Sequence, residues 1–157
     1  MHDEILTLPS NGIANAKSLQ VMDDDVQQAV AGDRVGIAMR NAKEEWLSAG
    51  TIIVHNPQVD KKITSSSSHP LYSSDKTWIS LEKSPFQKRE FNVGDVIHIS
   101  LDLQFIVGRI GKIDGSKMLI TWDAPLLFRK EGGTRALLNQ LDISPRIIGR
   151  ITEIIPE

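Results

Sequence analysis

Apolar residues recur along this chain mainly at every second position, in short runs rich in Val and Ile that are separated by Gly, Pro, Asn, Asp and Ser. Alternation of this period sends successive side chains to opposite faces of a strand, so the pattern predicts an all-β protein. The runs place strands at Glu4–Leu8, Lys17–Met22, Arg34–Arg40, Thr51–Val54, Trp78–Glu82, Val96–Ser100, Leu103–Ile113, Met118–Trp122, Ala136–Gln140 and Arg146–Ile154. Asp114-Gly115 lies between two of them, and both residue types tolerate the positive φ that a two-residue hairpin turn demands. Val26–Val30 and Ala42–Leu47 have room for one helical turn each, too little to persist as independent helices.

Between Val54 and Trp78 the alternation fails. The chain there runs through His55-Asn56-Pro57, Lys61-Lys62, Ser65–Ser68, Pro70 and Ser73-Ser74, a composition that cannot bury itself. This divides the protein into residues 1–56 and 57–157, with a mobile serine-rich loop near residues 64–76.

Composition sharpens the picture. A chain of 157 residues with 40% hydrophobic content can bury the core of one ordinary domain or two small barrels. The formal net charge of -2 excludes a global basic field, yet residues 1–50 carry 8 acids against 4 bases, while residues 51–157 carry 12 against 14. A basic partner surface therefore has to be local and belongs mainly to the second part. No cysteine is present, which excludes disulfides, thiolate metal sites and a cysteine nucleophile and suits a reducing compartment. No apolar run approaches the ~18 residues of a membrane span, so a soluble, cytoplasmic protein with no membrane partner is expected.

Catalytic signatures are missing. No G-x-x-x-x-G-K-[ST] occurs, and Gly132-Gly133 lacks the Lys-Ser/Thr that would make it a phosphate loop. His2, His55, His69 and His98 show neither metal-ligand spacing nor a triad arrangement; His98, inside an alternating strand, is expected to be a satisfied structural residue. Asp23-Asp24-Asp25 cannot all converge on one cation and reads as a solvated turn. Ser65–Ser68 lacks a nucleophile elbow. No catalytic or metal-binding residue is assigned.

The stretch Ala31-Gly32-Asp33-Arg34-Val35-Gly36-Ile37-Ala38-Met39-Arg40-Asn41 is the most informative. As a strand it points Val35, Ile37 and Met39 to one side and Arg34, Gly36, Ala38 and Arg40 to the other. The second side joins two cations to two residues with almost no side chain, so a ligand backbone or nucleotide has room to approach between charges. The alternative is a solvated face whose glycine serves a tight contact within the fold.

Lys17-Ser18-Leu19-Gln20-Val21-Met22, then Val30–Asn41, then Ala49-Gly50-Thr51-Ile52-Ile53-Val54 resembles the second half of domain two in elongation factor Tu-like translation GTPases. The likeness is greatest to the archaeal selenocysteine-specific factors and their pyrrolysine-associated relatives. The second part is similar to domain three of that superfamily, through Phe91–Ile99, Leu103–Ile110, Leu119–Pro125 and Leu141–Ile151. The resemblance implies two consecutive small β-barrels of translation-protein type, the first lacking its N-terminal strands. It also implies a role in binding the acceptor end of aminoacyl-tRNA, with the ribosome as partner of the full-length factor. GTP and magnesium belong, on this reading, to a GTPase domain absent from this chain, which itself needs no cofactor.

By the same resemblance Arg34 lines the aminoacyl pocket beside Gly36, with Arg40 as neighbour. Lys83, Lys88 and Arg89 near Phe86, and Arg129, Lys130 and Arg135 around Gly132-Gly133, form two basic loops suited to phosphate contacts; Lys88, Arg89, Arg129 and Lys130 are the candidates. Trp46, Trp78 and Trp122 are expected to fill barrel ends. A barrel short of strands exposes edges, which predicts an edge-paired homodimer. The alternative function is a protein-interaction module of the kind found in initiation-factor assemblies.

Overall fold

The computed structural model describes residues 3–56, 71–129 and 135–157. Contacts divide the chain into two compact units, Met1–His69 and Pro70–Glu157.

In the first unit the strands are β1 (Glu4–Leu8), β2 (Gly12–Val21), β3 (Asp24–Val26), β4 (Val35–Arg40) and β5 (Ile52–His55). They form a five-stranded sheet in which β2 carries β1, β3 and β4, and β1 carries β5. Among the described residues this sheet does not close on itself. The tight turn from β2 to β3 uses positive φ at Met22 (51°) and Asp23 (68°), a conformation that suits an aspartate and matches the twist of a hairpin. Asp24 and Asp25 then enter β3, so the acidic run is half turn and half strand. The helical turn expected at Val26–Val30 is absent: Val26 ends β3, opposite Leu19. At Ala42–Leu47 one turn does form, a 3-10 turn at Glu44–Trp46. It brings the Trp46 ring over Gly12, where any Cβ would collide with the indole.

The second unit comprises β6 (Leu71–Lys83), β7 (Val96–Leu101), β8 (Gln104–Asp114), β9 (Lys117–Arg129), β10 (Ala136–Asn139) and β11 (Ile147–Pro156). They close into a barrel in the order β10-β11-β6-β9-β8-β7. Inward residues of the six strands meet in one core that includes Ile79, Ile97, Ile99, Ile110, Ile120, Leu138, Ile148 and Ile151, all at most 1% exposed. Closure leaves no edge, which is why the alternating faces become a dry interior. The β8–β9 turn falls one residue later than expected: Gly115 (φ 59°) and Ser116 make it, and Asp114 ends β8 opposite Lys117.

Three strands outrun their sequence signal, and β2 begins at Gly12, five residues before the expected Lys17. β9 continues past Trp122 through Asp123-Ala124-Pro125, exposed residues at a register irregularity between Ser74 and Lys76 of β6, where proline removes no ladder bond. β6 begins at Leu71, so residues 71–76 of the expected loop are strand, while residues 64–70 lie outside those described. Ser73 and Ser74 pair with Leu127 and Leu126, and it is the β9 backbone that holds them.

The tryptophans divide. Trp122 is in the barrel core and donates Nε1–H to the buried Thr77 Oγ1 at 2.9 Å. Trp78 is half-buried on the outer face with the Lys112 ammonium 5.6 Å from its ring centroid.

Candidate nucleic-acid interface

The β4 strand keeps the two faces that alternation predicts. Val35, Ile37 and Met39 are half-buried, and Gly36, Ala38 and Arg40 are exposed. Arg34, immediately before the strand, is exposed too. Pairing with β2 sets Gly36 opposite Gln20, Ala38 opposite Ser18 and Arg40 opposite Asn15. Residues directly opposite in an antiparallel pair share a face, so the small residues of β4 sit beside a row of amide and hydroxyl groups. Gln20 donates its amide to Asp25 Oδ1 at 2.9 Å, and Asn41 Nδ2 reaches Asn15 Oδ1 at 3.4 Å. Asp33 is occupied at the turn, accepting the Val30 N–H at 2.8 Å, so the carboxylate next to Arg34 is turned back onto its own loop. Among the described residues neither Arg34 nor Arg40 takes part in an ion pair.

Gly36 bears on the reading in which this face serves a tight contact within the fold. A Cβ there would have Gln20 Cβ at 3.7 Å as its nearest neighbour, an ordinary contact. The fold of the described residues therefore does not require glycine at 36. Gly149 shows the opposite: a Cβ at 149 would run into the Glu82 carbonyl of the neighbouring strand. The tight barrel contact exists, at Gly149, and the open small-residue face exists at Gly36.

The basic loops of the second unit separate. Lys88 is exposed beyond the end of β6, whereas Arg129 is exposed opposite Leu71, where β6 begins. β6 has 13 residues, a span of roughly 40 Å at strand rise, so these groups lie at opposite ends of one strand and form no single patch. Arg89 is engaged: its guanidinium donates to Asp95 Oδ1 at 3.4 Å and lies 3.9 Å from Asp142 Oδ2, while its backbone N–H donates to Gln87 Oε1. Lys130 lies outside the described residues. Arg150 donates to Glu82 Oε2 from Nε at 3.1 Å and from Nη2 at 2.6 Å.

His98 departs from expectation. Its ring stacks on Phe105 with centroids 5.1 Å apart, but the buried Nδ1 has no hydrogen-bond partner. Sequence missed this because strand alternation fixes which way a side chain leaves the sheet, and the partners it meets come from other strands. No cluster of three or more His, Asp or Glu suited to a metal ion occurs among the described residues, and none of their helices is long and apolar enough to cross a membrane.

Comparison with solved structures places this geometry. Translation elongation factor SelB from Methanococcus maripaludis, in its apo form, matches 99% of this chain with a TM-score of 0.74 at 22% identity. The chain has the fold of SelB β-barrel domains. The same factor bound to the GTP analogue GppNHp gives a TM-score of 0.72 at 23% identity over 99% of the chain. A bacterial selenocysteine-specific elongation factor, EF-Sec, gives 0.72 at 16% over 96%. This chain accounts for 36%, 37% and 22% of those three chains. Among curated proteins an uncharacterized protein of Methanocaldococcus jannaschii is 23% identical over 150 residues, 95% of this chain and 44% of that protein. The chain thus spans less than half the length of each of these relatives. No family profile matches it. The expected likeness to selenocysteine-specific factors holds at the level of fold.

Proposed function

We propose that this chain is the aminoacyl-tRNA-binding part of a GTP-dependent elongation factor of the selenocysteine-specific type. The observation that carries this reading is the outer face of β4, where Gly36 and Ala38 lie open between the unpaired cations Arg34 and Arg40 although the fold does not require glycine at 36. Arg34 supplies charge to the aminoacyl end, Arg40 takes a flanking phosphate, and Lys88, Arg129 and Lys130 add phosphate contacts. Arg89, its charge shared with Asp95 and Asp142, contributes least. The role is binding. GTP hydrolysis, with its magnesium ion, belongs to a nucleotide domain of the longer factor, and the ribosome is a partner of that whole protein, which works in the cytoplasm.

Filter binding of aminoacylated tRNA across a salt series tests the reading. Affinity is expected to fall with salt, and Arg34→Ala to weaken it about tenfold, the scale of one charge-assisted hydrogen bond. An Arg34→Ala protein that binds charged tRNA unchanged removes the pocket assignment.

Among the described residues β4 pairs on one side only, with β2. Its backbone on the other side is open to pairing, and we assign the isolated chain an edge-paired homodimer. Light scattering should give twice the chain mass; a monomer at high concentration contradicts this. The rival reading, a protein-interaction module, draws on exposed apolar residues of the barrel such as Leu103 and Phe105. It predicts no affinity for either form of tRNA.

A further inference from the structure

The end of the barrel where β7 begins holds a pocket of about 320 Å³ lined by Arg89, Gly94, Asp95, Val96, His98, Gln140, Leu141 and Asp142. The segment before β7 and the segment after β10 form its walls, and both are held rigidly. Asp95 accepts the Asn92 N–H at 3.0 Å and its carbonyl accepts the Ile110 N–H at 3.0 Å; the Gln140 N–H donates to Arg146 O at 2.8 Å.

Three features define what such a pocket receives. The buried Nδ1 of His98, on the pocket wall, has no hydrogen-bond partner among the described residues, a costly state unless a ligand or water satisfies it, and Gln140 beside it is only 3% exposed. The ionised groups on the walls are Asp95, Asp142 and Arg89; two carboxylates against one guanidinium leave a net negative charge, which disfavours phosphate and favours a cation. Arg89 satisfies the carboxylates only at long range, 3.4 Å and 3.9 Å, so acceptor capacity remains on both. Around this polar centre the surface is apolar: Val96 is 40% exposed, Leu141 45%, and Phe105, stacked on His98, 54%. A partly buried polar pocket beside exposed apolar residues offers a protein partner both polar and apolar contacts.

We propose that this pocket docks a protein partner by receiving one of its arginine or lysine side chains, with Asp95, Asp142 and the Gln140 carbonyl as acceptors and Val96, Phe105 and Leu141 covering the partner's flanking apolar residues. The site is distinct from the β4 face, and its success or failure is independent of tRNA binding.

Nuclear magnetic resonance on the whole isotopically labelled chain tests the proposal. N-acetyl-arginine amide should shift the Gln140 side-chain amide and the Asp95 and His98 backbone signals saturably, with a dissociation constant on the order of 10 mM. The neutral isostere N-acetyl-citrulline amide should not. Acetyl-Leu-Arg-Leu amide should bind about tenfold tighter through the rim. Asp142→Asn, at a largely exposed position that leaves the core untouched, should weaken the arginine probe about threefold. Equal shifts from arginine and citrulline, no shift at Gln140, no gain from the leucines, or occupation by adenosine monophosphate instead would each overturn it, the last by making the pocket a nucleotide site.

Discussion

In the barrel of the second unit, alternation yields a core whose isoleucines are fully buried; in the open sheet of the first, the equivalent inward residues Val35, Ile37 and Met39 are only half-buried. The strand chemistry is the same in both. The difference is closure, because a sheet that closes supplies every inner side chain with neighbours across the interior, and an open one does not. The closed unit is accordingly the stability reserve, and the open unit carries the exposed small-residue face on which a binding role rests.

The comparison breaks most easily at the cores. Trp122→Ala removes a buried ring and leaves the Thr77 hydroxyl unpaired, which should cost about 3–5 kcal/mol. Ile37→Ala, on the half-buried face, should cost about 1 kcal/mol. Urea unfolding followed by circular dichroism measures both, and similar losses would mean that the first unit buries β4 as deeply as the barrel buries its core.

The two glycines give a second contrast. Gly149→Ala forces a methyl group into the Glu82 backbone, which cannot yield cheaply, and should cost about 2 kcal/mol. Gly36→Ala meets only ordinary contacts and should be neutral, or stabilising by about 0.5 kcal/mol through a less flexible unfolded chain. A marked loss at Gly36 would restore the reading in which that glycine serves packing.

A smaller effect sharpens the account of the barrel exterior. The Glu153 carboxyl is held below its ordinary range, first by a hydrogen bond from Lys117, then by one from Ser80 and by the Lys117 charge. A carboxyl whose pKa falls on folding adds stability that is complete above its unfolded pKa and is lost as pH drops through the folded one. The group is fully exposed and solvent screens it, so the thermal midpoint of Glu153→Gln should differ only slightly from that of the parent near neutrality, and the gap should close in acid. A gap that persisted in acid would point to a packing role.

The extent to which the fold was legible in sequence follows from these same residues. Glu4–Leu8 could be read to the residue because it is a short apolar run that Pro9 ends, with Ser10-Asn11-Gly12 as turn residues behind it. β3 was hidden by its own chemistry, since two of its three residues are aspartates, held in the sheet by pairing with β2 and by the Gln20 amide. The start of β6 and the end of β9 were hidden from each other: Ser73-Ser74 and Asp123-Ala124-Pro125 look like loop, and each is strand because the other lies beside it. The β4 face was legible, being local. The pocket of Asp95, Gln140 and Asp142 was not, because β7 and β10 bring it together from segments some 45 residues apart in the chain.

The most direct test of the central claim compares aminoacylated with deacylated tRNA for binding to this chain at one fixed salt concentration, with Gly36→Val alongside. Tighter binding of the aminoacylated form by about tenfold, lost in Gly36→Val while the fold is kept, is the predicted result. Equal binding of both forms, or a Gly36→Val protein that still prefers the charged tRNA, would contradict an aminoacyl site on the β4 face.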